Sequence, residues 1–194
     1  MNFLPMIFRM KYINRWSLMY NAYPETLSEH TLECAYIAHF LGFVGKHLFN
    51  KDYNPDRLAT LALYHDVSEI ITGDLPTPIK YHNPFIKHAY KDIEDMATDK
   101  LLSMLPKELQ QSYADYITPT ETATADELQL IKIADTLCAY IKCQKEVGAG
   151  NKEFTQAKAQ LWDKLQAIKH PVLAYFLQHC VDKFELSLDE LDIR

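Results

Sequence analysis

Three segments of this sequence carry an ionisable residue at a position that a helix would turn towards its core. His30 falls in line with apolar residues four, seven and eleven positions later. His65 follows leucines by four and seven positions, and Asp135 shares a stripe with apolar residues three positions after it and four and seven before it. A buried lone carboxylate costs several kcal/mol unless it is paired or binds a metal. These residues therefore need a compensating group.

The residue types in this set favour a metal site. His30, His65, Asp66 and Asp135 provide two imidazoles and two carboxylates, a mixed nitrogen and oxygen set that suits a divalent transition metal. His65 and Asp66 are about 100° apart around one helix, so both reach one ion only if it lies over the edge of that face and other helices supply the remaining ligands. A single histidine of this kind also fits a hydrogen-bonded core residue, but the four residues together favour the metal.

Two other kinds of helical metal site are excluded by the spacing. The sequence has no H-E-x-x-H motif, which zinc proteases use, and no histidine has a glutamate three residues before it, as di-iron bundles require.

The elements that must position these residues are all predicted to be helices. Glycine is scarce, and no alternating apolar segments flanked by turn dipeptides are present. Capping boxes at Thr26 and Thr124, and an N-cap followed by proline at Asn54-Pro55, mark helix starts. Helices are expected over 6–13, 26–49, 54–73, 83–105, 124–148, 154–169 and 172–184, with a short turn at 187–191. We expect one domain over residues 1–194.

One connection is expected to be extended rather than helical. In Leu75-Pro76-Thr77-Pro78, each proline lacks an N–H and pushes its predecessor out of the helical region. The preceding helix is therefore expected to end near Gly73 and to carry Glu69 one turn beyond His65 on the same face.

Composition and charge exclude several classes of function. The 194 residues are 48% apolar and 24% charged, as in an ordinary globular protein, and the net charge of −6 offers no surface for a nucleic acid polymer. No apolar run approaches the roughly 18 residues that cross a bilayer, and the N-terminus does not match a secretory signal. The four cysteines form no C-x-x-C pair, and we interpret them as reduced core thiols of a cytoplasmic protein.

The metal-site residues stand in longer strings that resemble a known family. The pattern H…HD…D, here His30, His65-Asp66 and Asp135, resembles the ligand signature of HD-domain metal-dependent phosphohydrolases. The strings are Ile13-Asn14-Arg15-Trp16, Ser28-Glu29-His30, Tyr64-His65-Asp66-Val67-Ser68-Glu69, Thr72-Gly73-Asp74-Leu75-Pro76-Thr77-Pro78, Lys132-Ile133-Ala134-Asp135 with Cys138-Ala139-Tyr140, and Leu186-Ser187-Leu188-Asp189-Glu190. Together they resemble the bacterial 5′-deoxynucleotidases of the YfbR type over nearly the whole chain.

This resemblance implies a fold, a reaction and a cofactor. The fold is an all-α HD-domain helical bundle with a single buried metal site. The reaction is hydrolysis of deoxyribonucleoside 5′-monophosphates to deoxynucleoside and phosphate in a homodimer. The cofactor is one divalent cation, Co²⁺, Mn²⁺, Zn²⁺ or Cu²⁺, bound by His30, His65, Asp66 and Asp135.

Further residues receive roles in the reaction. Two aspartates balance a divalent cation, so a phosphate dianion needs another positive charge, for which Arg15 is the candidate because its planar fork matches phosphate oxygens. Glu69 is placed as the general base that takes a proton from water, with a second role, orienting a ligand imidazole, left open. Asp74 lies past the helix end and would hold the sugar hydroxyl, the attacking water or the leaving oxygen, unless it is only a turn residue.

The resemblance also implies a substrate pocket. Asp74, Leu75, Pro76 and Thr77 line it, Lys80 lies near the phosphate, and His30, Asp66 and Asp135 border substrate as well as metal. Trp16 packs on the sugar and leaves no room for a 2′-hydroxyl, although the residue alone would fit an ordinary core aromatic.

Two alternative functions stay open. One keeps the fold and changes the substrate to nucleoside triphosphates or guanosine tetraphosphate, which would need more cations than Arg15 and Lys80. The other is a non-catalytic nucleotide-binding module, which would not need Glu69 and Asp74.

Overall fold

The computed structural model describes residues 1–80, 82–119 and 122–191. Within those ranges the regular structure is helical, and the only extended pairing is an isolated antiparallel bridge between Asn14 and Thr26. The α-helices are α1 (Phe3–Ile7), α2 (Leu27–Leu48), α3 (Pro55–Tyr64), α4 (Glu69–Thr72), α5 (Thr77–Lys80), α6 (Pro84–Ser103), α7 (Lys107–Ile117), α8 (Ala125–Gly148), α9 (Thr155–Ala167) and α10 (Pro171–His179), with 3₁₀ segments at Phe8–Tyr12, Lys152–Phe154 and Val181–Glu185. The predicted all-α class is confirmed.

Both predicted capping boxes form. Glu29 N donates to Thr26 Oγ1 at 3.3 Å, and Thr26 N donates back to Glu29 Oε2 at 2.7 Å. At the start of α8, Glu127 N donates to Thr124 Oγ1 at 3.1 Å and Thr124 N donates to Glu127 Oε2 at 2.8 Å. Each box satisfies two N–H groups that the first turn leaves free, so the two longest helices begin where the sequence predicts.

The main core lies where α2, α3 and α8 pack against one another. Its fully buried side chains include Leu41 of α2, Leu58 and Leu61 of α3, and Leu137 of α8. A Cβ added to Gly42 of α2 would lie 2.9 Å from the Pro55 Cα, so glycine lets α2 and α3 approach closely. Helices α2 and α8 carry the predicted ligands His30 and Asp135, and α3 leads into the turn that holds His65 and Asp66.

The helix predicted over 54–73 is interrupted at the site. Helix α3 ends at Tyr64, residues 65–68 form turns, and α4 begins at Glu69. The His65 ring donates its Nδ1–H to the Ala62 carbonyl at 2.7 Å, which is the carbonyl that a continuing helix would use for Asp66. The backbone tightens instead, with Glu69 N donating to Asp66 O at 3.0 Å. The expectation that Glu69 lies one helical turn beyond His65 on a continuous helix is therefore wrong.

Three other local predictions also differ from the structure. The connection predicted to be extended contains α5, in which Ile79 N and Lys80 N both donate to Pro76 O. The sequence predicted no element over 107–117, yet α7 forms there. The first helix begins at Phe3 rather than near Met6, and it changes to 3₁₀ geometry from Phe8.

Candidate metal centre and active site

The four residues predicted to bind metal meet in the structure, although they come from three segments. His30 lies on α2, His65 and Asp66 lie in the turn after α3, and Asp135 lies on α8. His30 Nε2 lies 3.2 Å from Asp135 Oδ1 and 3.7 Å from Asp66 Oδ2. His65 Nε2 lies 3.1 Å from Asp66 Oδ2. The donor atoms therefore converge on one point.

The ring nitrogens that face away from this point have oxygen partners. His65 Nδ1 donates to Ala62 O, and His30 Nδ1 lies 3.3 Å from the Glu25 Oε1 carboxylate oxygen. An oxygen partner at Nδ1 leaves the Nε2 lone pair for a metal. His65 Nε2 is buried and makes no hydrogen bond. The Nε2 lone pairs of His30 and His65 face carboxylate oxygens, and the two kinds of group repel one another unless a cation lies between them. The donor set therefore fits a divalent cation.

The charged groups of the cluster shift one another's pKa values. Burial lowers the pKa of His65, but the charges of Asp66 and Asp135 outweigh it and raise that pKa to about 10. Burial raises the pKa of Asp66, while positive charge on His65, His30 and Arg15 outweighs it and holds the pKa well below the usual aspartate range. The two carboxylates thus stabilise a positive charge beside them. A cation supplies that charge when it displaces the proton of the His65 ring.

Cys34 lies beside the cluster, one helical turn after His30. Its Sγ is 3.4 Å from His30 Nε2, and donor atoms of His30, Cys34, His65 and Asp135 all lie within 4.8 Å of one another. Burial, together with Cys138 and the nearby aspartates, raises the pKa of the Cys34 thiol well above its ordinary value. The sequence marked Cys34 only as a core thiol, and it is buried as expected. Its spacing of four residues from His30 on one helix was the signal that could have placed its sulfur next to the ligands.

Arg15, the predicted phosphate clamp, lies at the same cluster. Its Nη1 is 3.4 Å from Asp66 Oδ2 and its Nε is 3.2 Å from Glu25 Oε1. Burial would lower the pKa of Arg15, but the carboxylates of Asp66, Glu25 and Asp135 outweigh it and raise the pKa further. The guanidinium is therefore charged and held beside a ligand carboxylate.

Glu69 and Asp74 border the cluster without being part of it. Glu69 is buried and its Oε2 has no hydrogen-bond partner. Burial and the charges of Asp66 and Asp74 raise the pKa of Glu69 to about 9, despite Arg15 nearby. Asp74 follows Gly73, whose φ of 74° ends α4. Burial and the charge of Asp66 raise the pKa of Asp74, although Arg15 and the nearby Trp16 backbone lower it.

The other residues that the sequence predicts to line the substrate pocket are Lys80, Leu75, Pro76 and Thr77. Lys80 pairs with Glu94 of α6, Nζ to Oε1 at 2.8 Å, so it faces a carboxylate in α6 rather than the cluster. Leu75 and Pro76 are half-buried between Asp74 and α5. The side chain of Thr77 lies outside the described residues.

Trp16 is held in a strained backbone next to Arg15. Its φ is 56°, its ring centroid lies 5.3 Å from that of Phe154, and its buried Nε1 has no hydrogen-bond partner. A bulky residue with positive φ is uncommon and needs support from surrounding structure. The ring is half-buried, which is compatible with both packing on a substrate and packing in the protein.

Glu25 is the contact residue that the sequence did not predict. It lies in an irregular segment, immediately before the Thr26 cap, where no apolar period exists to mark which side chains point inward. Its proximity to both His30 and Arg15 is visible only in the structure.

Known proteins are similar to this chain over nearly its whole length. The family model described as 5′-deoxynucleotidase YfbR-like matches residues 2–184. A 5′-deoxynucleotidase of Yersinia pseudotuberculosis serotype I is 49% identical over 192 residues, covering 99% of this chain and 97% of that protein. A 5′-deoxynucleotidase of Yersinia pestis (strain Pestoides F) has the same identity and coverage.

Solved structures show the same fold at lower identity. An HD-domain phosphohydrolase from Listeria innocua superposes with a TM-score of 0.82 at 22% identity, covering 94% of this chain and 88% of that one. The cyanophage S-2L HD phosphohydrolase DatZ, bound to dA and one catalytic Zn²⁺ ion, superposes with a TM-score of 0.62 at 20% identity, covering 92% and 96%. The predicted HD-domain fold is confirmed. The family model spans nearly all of the sequence, and the Yersinia relatives share almost half of its residues, so the chain belongs to the YfbR-like 5′-deoxynucleotidase family.

Proposed function

We propose that this protein hydrolyses deoxyribonucleoside 5′-monophosphates to deoxynucleoside and phosphate. The observation that carries the proposal is the convergence of His30, His65, Asp66 and Asp135 beside the buried, charged Arg15. Phosphate monoesters hydrolyse extremely slowly without a catalyst, so the site must supply an activated water and must neutralise the phosphate oxygens. Membership of a 5′-deoxynucleotidase family supports the choice of substrate.

His30, His65, Asp66 and Asp135 would hold one divalent cation. When bound, such a cation lowers the pKa of water and offsets the charge of phosphate oxygens. Co²⁺, Mn²⁺, Zn²⁺ and Cu²⁺ all suit imidazole and carboxylate donors, and the sulfur of Cys34 close by favours the softer ions among them. The structurally similar phosphohydrolase DatZ binds one catalytic Zn²⁺ ion, which supports the assignment.

Arg15 would bind the phosphate of the substrate. Its charge is additional to that of the cation, which the two aspartates balance, so it can offset the phosphate dianion. Two of its nitrogens face Asp66 and Glu25, and these carboxylates fix the plane of the fork through which the remaining N–H groups bind phosphate oxygens.

Glu69 would take a proton from the attacking water. With a pKa of about 9, its carboxyl is protonated at neutral pH in the metal-free protein. The opposite charge of a cation in the cluster lowers that pKa, so the carboxylate that can accept a proton forms in the loaded protein. Asp74, whose pKa burial raises, would hold a sugar hydroxyl or the leaving oxygen.

Trp16 would contact the sugar and exclude a 2′-hydroxyl. Its ring packs against Phe154, which supports its position on one side. Leu75, Pro76 and Thr77 would complete the pocket. Lys80 is engaged by Glu94, which leaves Arg15 as the main cation for phosphate and favours a monophosphate over a polyphosphate.

We also propose that the protein works in the cytoplasm as a homodimer and binds no nucleic acid polymer. The cysteines are unpaired and the net charge is −6, which supports the first and last of these proposals. In the part of the chain that the structure describes, no helix is both long and apolar enough to cross a bilayer. Tyr36, Phe40 and Phe43 on α2 are exposed, and a dimer would bury such a surface.

The test is phosphate release by chelator-stripped protein. dAMP, AMP and dATP are supplied separately, with Mn²⁺, Co²⁺, Zn²⁺ and Mg²⁺ added back one at a time. We expect turnover of dAMP well above that of AMP and dATP, restored by a transition metal. Release from dATP alone would replace the proposal with a triphosphohydrolase, and tight nucleotide binding without turnover for any metal would replace it with a binding module.

An Arg15→Lys variant serves as the matched control. It keeps the positive charge but removes the planar fork. We expect a higher KM for dAMP with Zn²⁺ binding retained, which separates phosphate binding from metal binding.

A further inference from the structure

The Glu25 carboxylate contacts both His30, a proposed metal ligand, and Arg15, the proposed phosphate-binding residue. Glu25 Oε1 lies 3.3 Å from His30 Nδ1 and 3.2 Å from Arg15 Nε. The Glu25 side chain is 11% exposed, and the His30 side chain is fully buried. The same oxygen thus contacts His30, a proposed metal ligand, on the ring nitrogen that faces away from the metal site. It also contacts Arg15, the proposed phosphate-binding residue.

The backbone fixes this arrangement independently of the side chains. Arg15 N donates to Glu25 O at 3.0 Å and Leu27 N donates to Ile13 O at 2.8 Å, so the two segments pair in a defined register. His30 N donates to Thr26 O at 3.0 Å in the first turn of α2. Glu25 therefore stands opposite Arg15 and one turn before His30.

The negative charge of Glu25 needs the two neighbouring side chains, Arg15 and His30. A buried carboxylate without a compensating partner costs several kcal/mol, and Glu25 Oε2 is buried without a hydrogen bond. The charge of Glu25 is therefore offset by the Arg15 guanidinium beside Oε1, and the same oxygen favours a proton on the His30 Nδ1 atom that faces it. This arrangement selects the tautomer of His30 whose Nε2 lone pair faces the cluster.

We propose that Glu25 is a positioning residue that orients His30 for the metal and Arg15 for phosphate at the same time. The inference rests on the proposed function in its assignment of Arg15 to phosphate. Glu25 itself contacts neither substrate nor metal in this role. It acts by holding the ring plane of His30 and the fork of Arg15 in one geometry.

The experiment measures binding of two probes that are not substrates. Zn²⁺ affinity is measured by competition with a chromophoric chelator, and inorganic phosphate affinity is measured on the Zn²⁺-loaded protein. For Glu25→Ala we expect Zn²⁺ to bind about 10- to 100-fold more weakly and phosphate about tenfold more weakly. Glu25→Gln keeps an oxygen acceptor but loses the charge, so it should fall between Glu25→Ala and the unaltered protein.

Glu29→Ala is the matched control. Glu29 lies four residues later and caps the same helix, but it binds the Thr26 backbone and hydroxyl rather than the cluster. We expect this variant to lose stability while keeping both affinities. If Glu25→Ala does not fold, Glu25→Gln supplies the same comparison.

Some outcomes would overturn the inference. Zn²⁺ and phosphate affinities of Glu25→Ala within twofold of those of Glu29→Ala would remove Glu25 from any positioning role. Loss of only one affinity would overturn the shared role. Because neither probe is turned over, both affinities can be measured whether or not dAMP is hydrolysed, so a failure of the proposed function has a different readout.

Discussion

A buried ion pair on α8 anchors the segment that follows Arg15 and Trp16. Glu146 is fully buried and accepts hydrogen bonds from the backbone N–H groups of Ala22 and Tyr23, both at 2.9 Å. It also accepts from Asn151 Nδ2 at 2.7 Å and from Lys142 Nζ, which in turn donates to the Tyr23 carbonyl. The irregular segment is therefore fastened to α8 through one carboxylate.

Replacing Glu146 with glutamine should destabilise the protein by about 3 kcal/mol. The variant leaves Lys142, only 6% exposed, as an unpaired buried charge, and breaking such a pair costs roughly 3–5 kcal/mol. The glutamine amide oxygen can still accept hydrogen bonds from some of the backbone N–H groups. We therefore expect a loss of stability at the lower end of that range. Burial raises the pKa of Glu146, but the hydrogen bonds from Lys142, Asn151 and the backbone outweigh it and lower the pKa from 4.5 to about 2. That difference also corresponds to about 3 kcal/mol.

The lowered pKa gives the pH dependence its sign. The unfolded state binds the proton more readily than the folded state, so the stabilisation is complete above the unfolded pKa of 4.5 and is lost as pH falls towards about 2. Urea unfolding at pH 7 and at pH 3 measures this directly. The difference between Glu146→Gln and the unaltered protein should shrink at the lower pH.

Two further variants test the reasoning. Asp95→Asn removes an exposed pair with Lys91 and should cost less than about 0.5 kcal/mol. Lys142→Met combined with Glu146→Gln removes the stranded charge and should recover part of the loss. A cost below about 1 kcal/mol for Glu146→Gln at pH 7 would refute the role of the pair.

The remaining predictions concern the pocket, the reaction and the core. Trp16→Ala should raise hydrolysis of AMP relative to dAMP, because the ring no longer occupies the space for a 2′-hydroxyl; a variant that still rejects AMP would place sugar selection elsewhere. Glu69→Gln should lower kcat for dAMP by about 10²- to 10⁴-fold with Zn²⁺ affinity kept, and an unchanged kcat would remove Glu69 from the mechanism. Gly42→Ala should cost about 1–3 kcal/mol in urea unfolding because its Cβ meets the Pro55 backbone. Gly148→Ala, where nothing lies within 4 Å, should be neutral or stabilising, and equal costs for the two would contradict the packing argument.

The metal-binding part of the site could be predicted from the sequence because His30 and Asp135 lie on helices whose apolar residues recur with a regular helical period. His30 and Asp135 interrupt apolar stripes that bury their neighbours, and a polar group in such a place needs a partner. Capping boxes at Thr26 and Thr124 then set the register of both helices. Burial, spacing and the cost of an unpaired charge were sufficient to bring these residues together.

Local breaks in the helices could not be predicted in the same way. The interruption after Tyr64 depends on a contact between the His65 ring and the Ala62 carbonyl, and no residue there is a helix breaker. Among the residues of α7 only Ile117 is buried, so the apolar period that would reveal a helix is weak. A local ring-to-backbone contact decides the first case, and packing against α3 and α6 decides the second.

The phosphate half of the site depends on long-range anchoring, and this gives the Glu146 variant a second consequence. Arg15 lies on an irregular segment whose backbone pairs with Glu25 and whose Ala22 and Tyr23 amides donate to Glu146 of α8. Within the described residues, neither Glu25 nor Glu146 forms an ion pair with His65, Asp66 or Asp135. Loosening the α8 anchor should therefore raise KM for dAMP while leaving Zn²⁺ affinity unchanged, whereas Glu25→Ala should weaken both. If Glu146→Gln weakened Zn²⁺ binding as much as Glu25→Ala does, the two halves of the site would be one cooperative unit, and the separate anchoring argued from these contacts would be wrong.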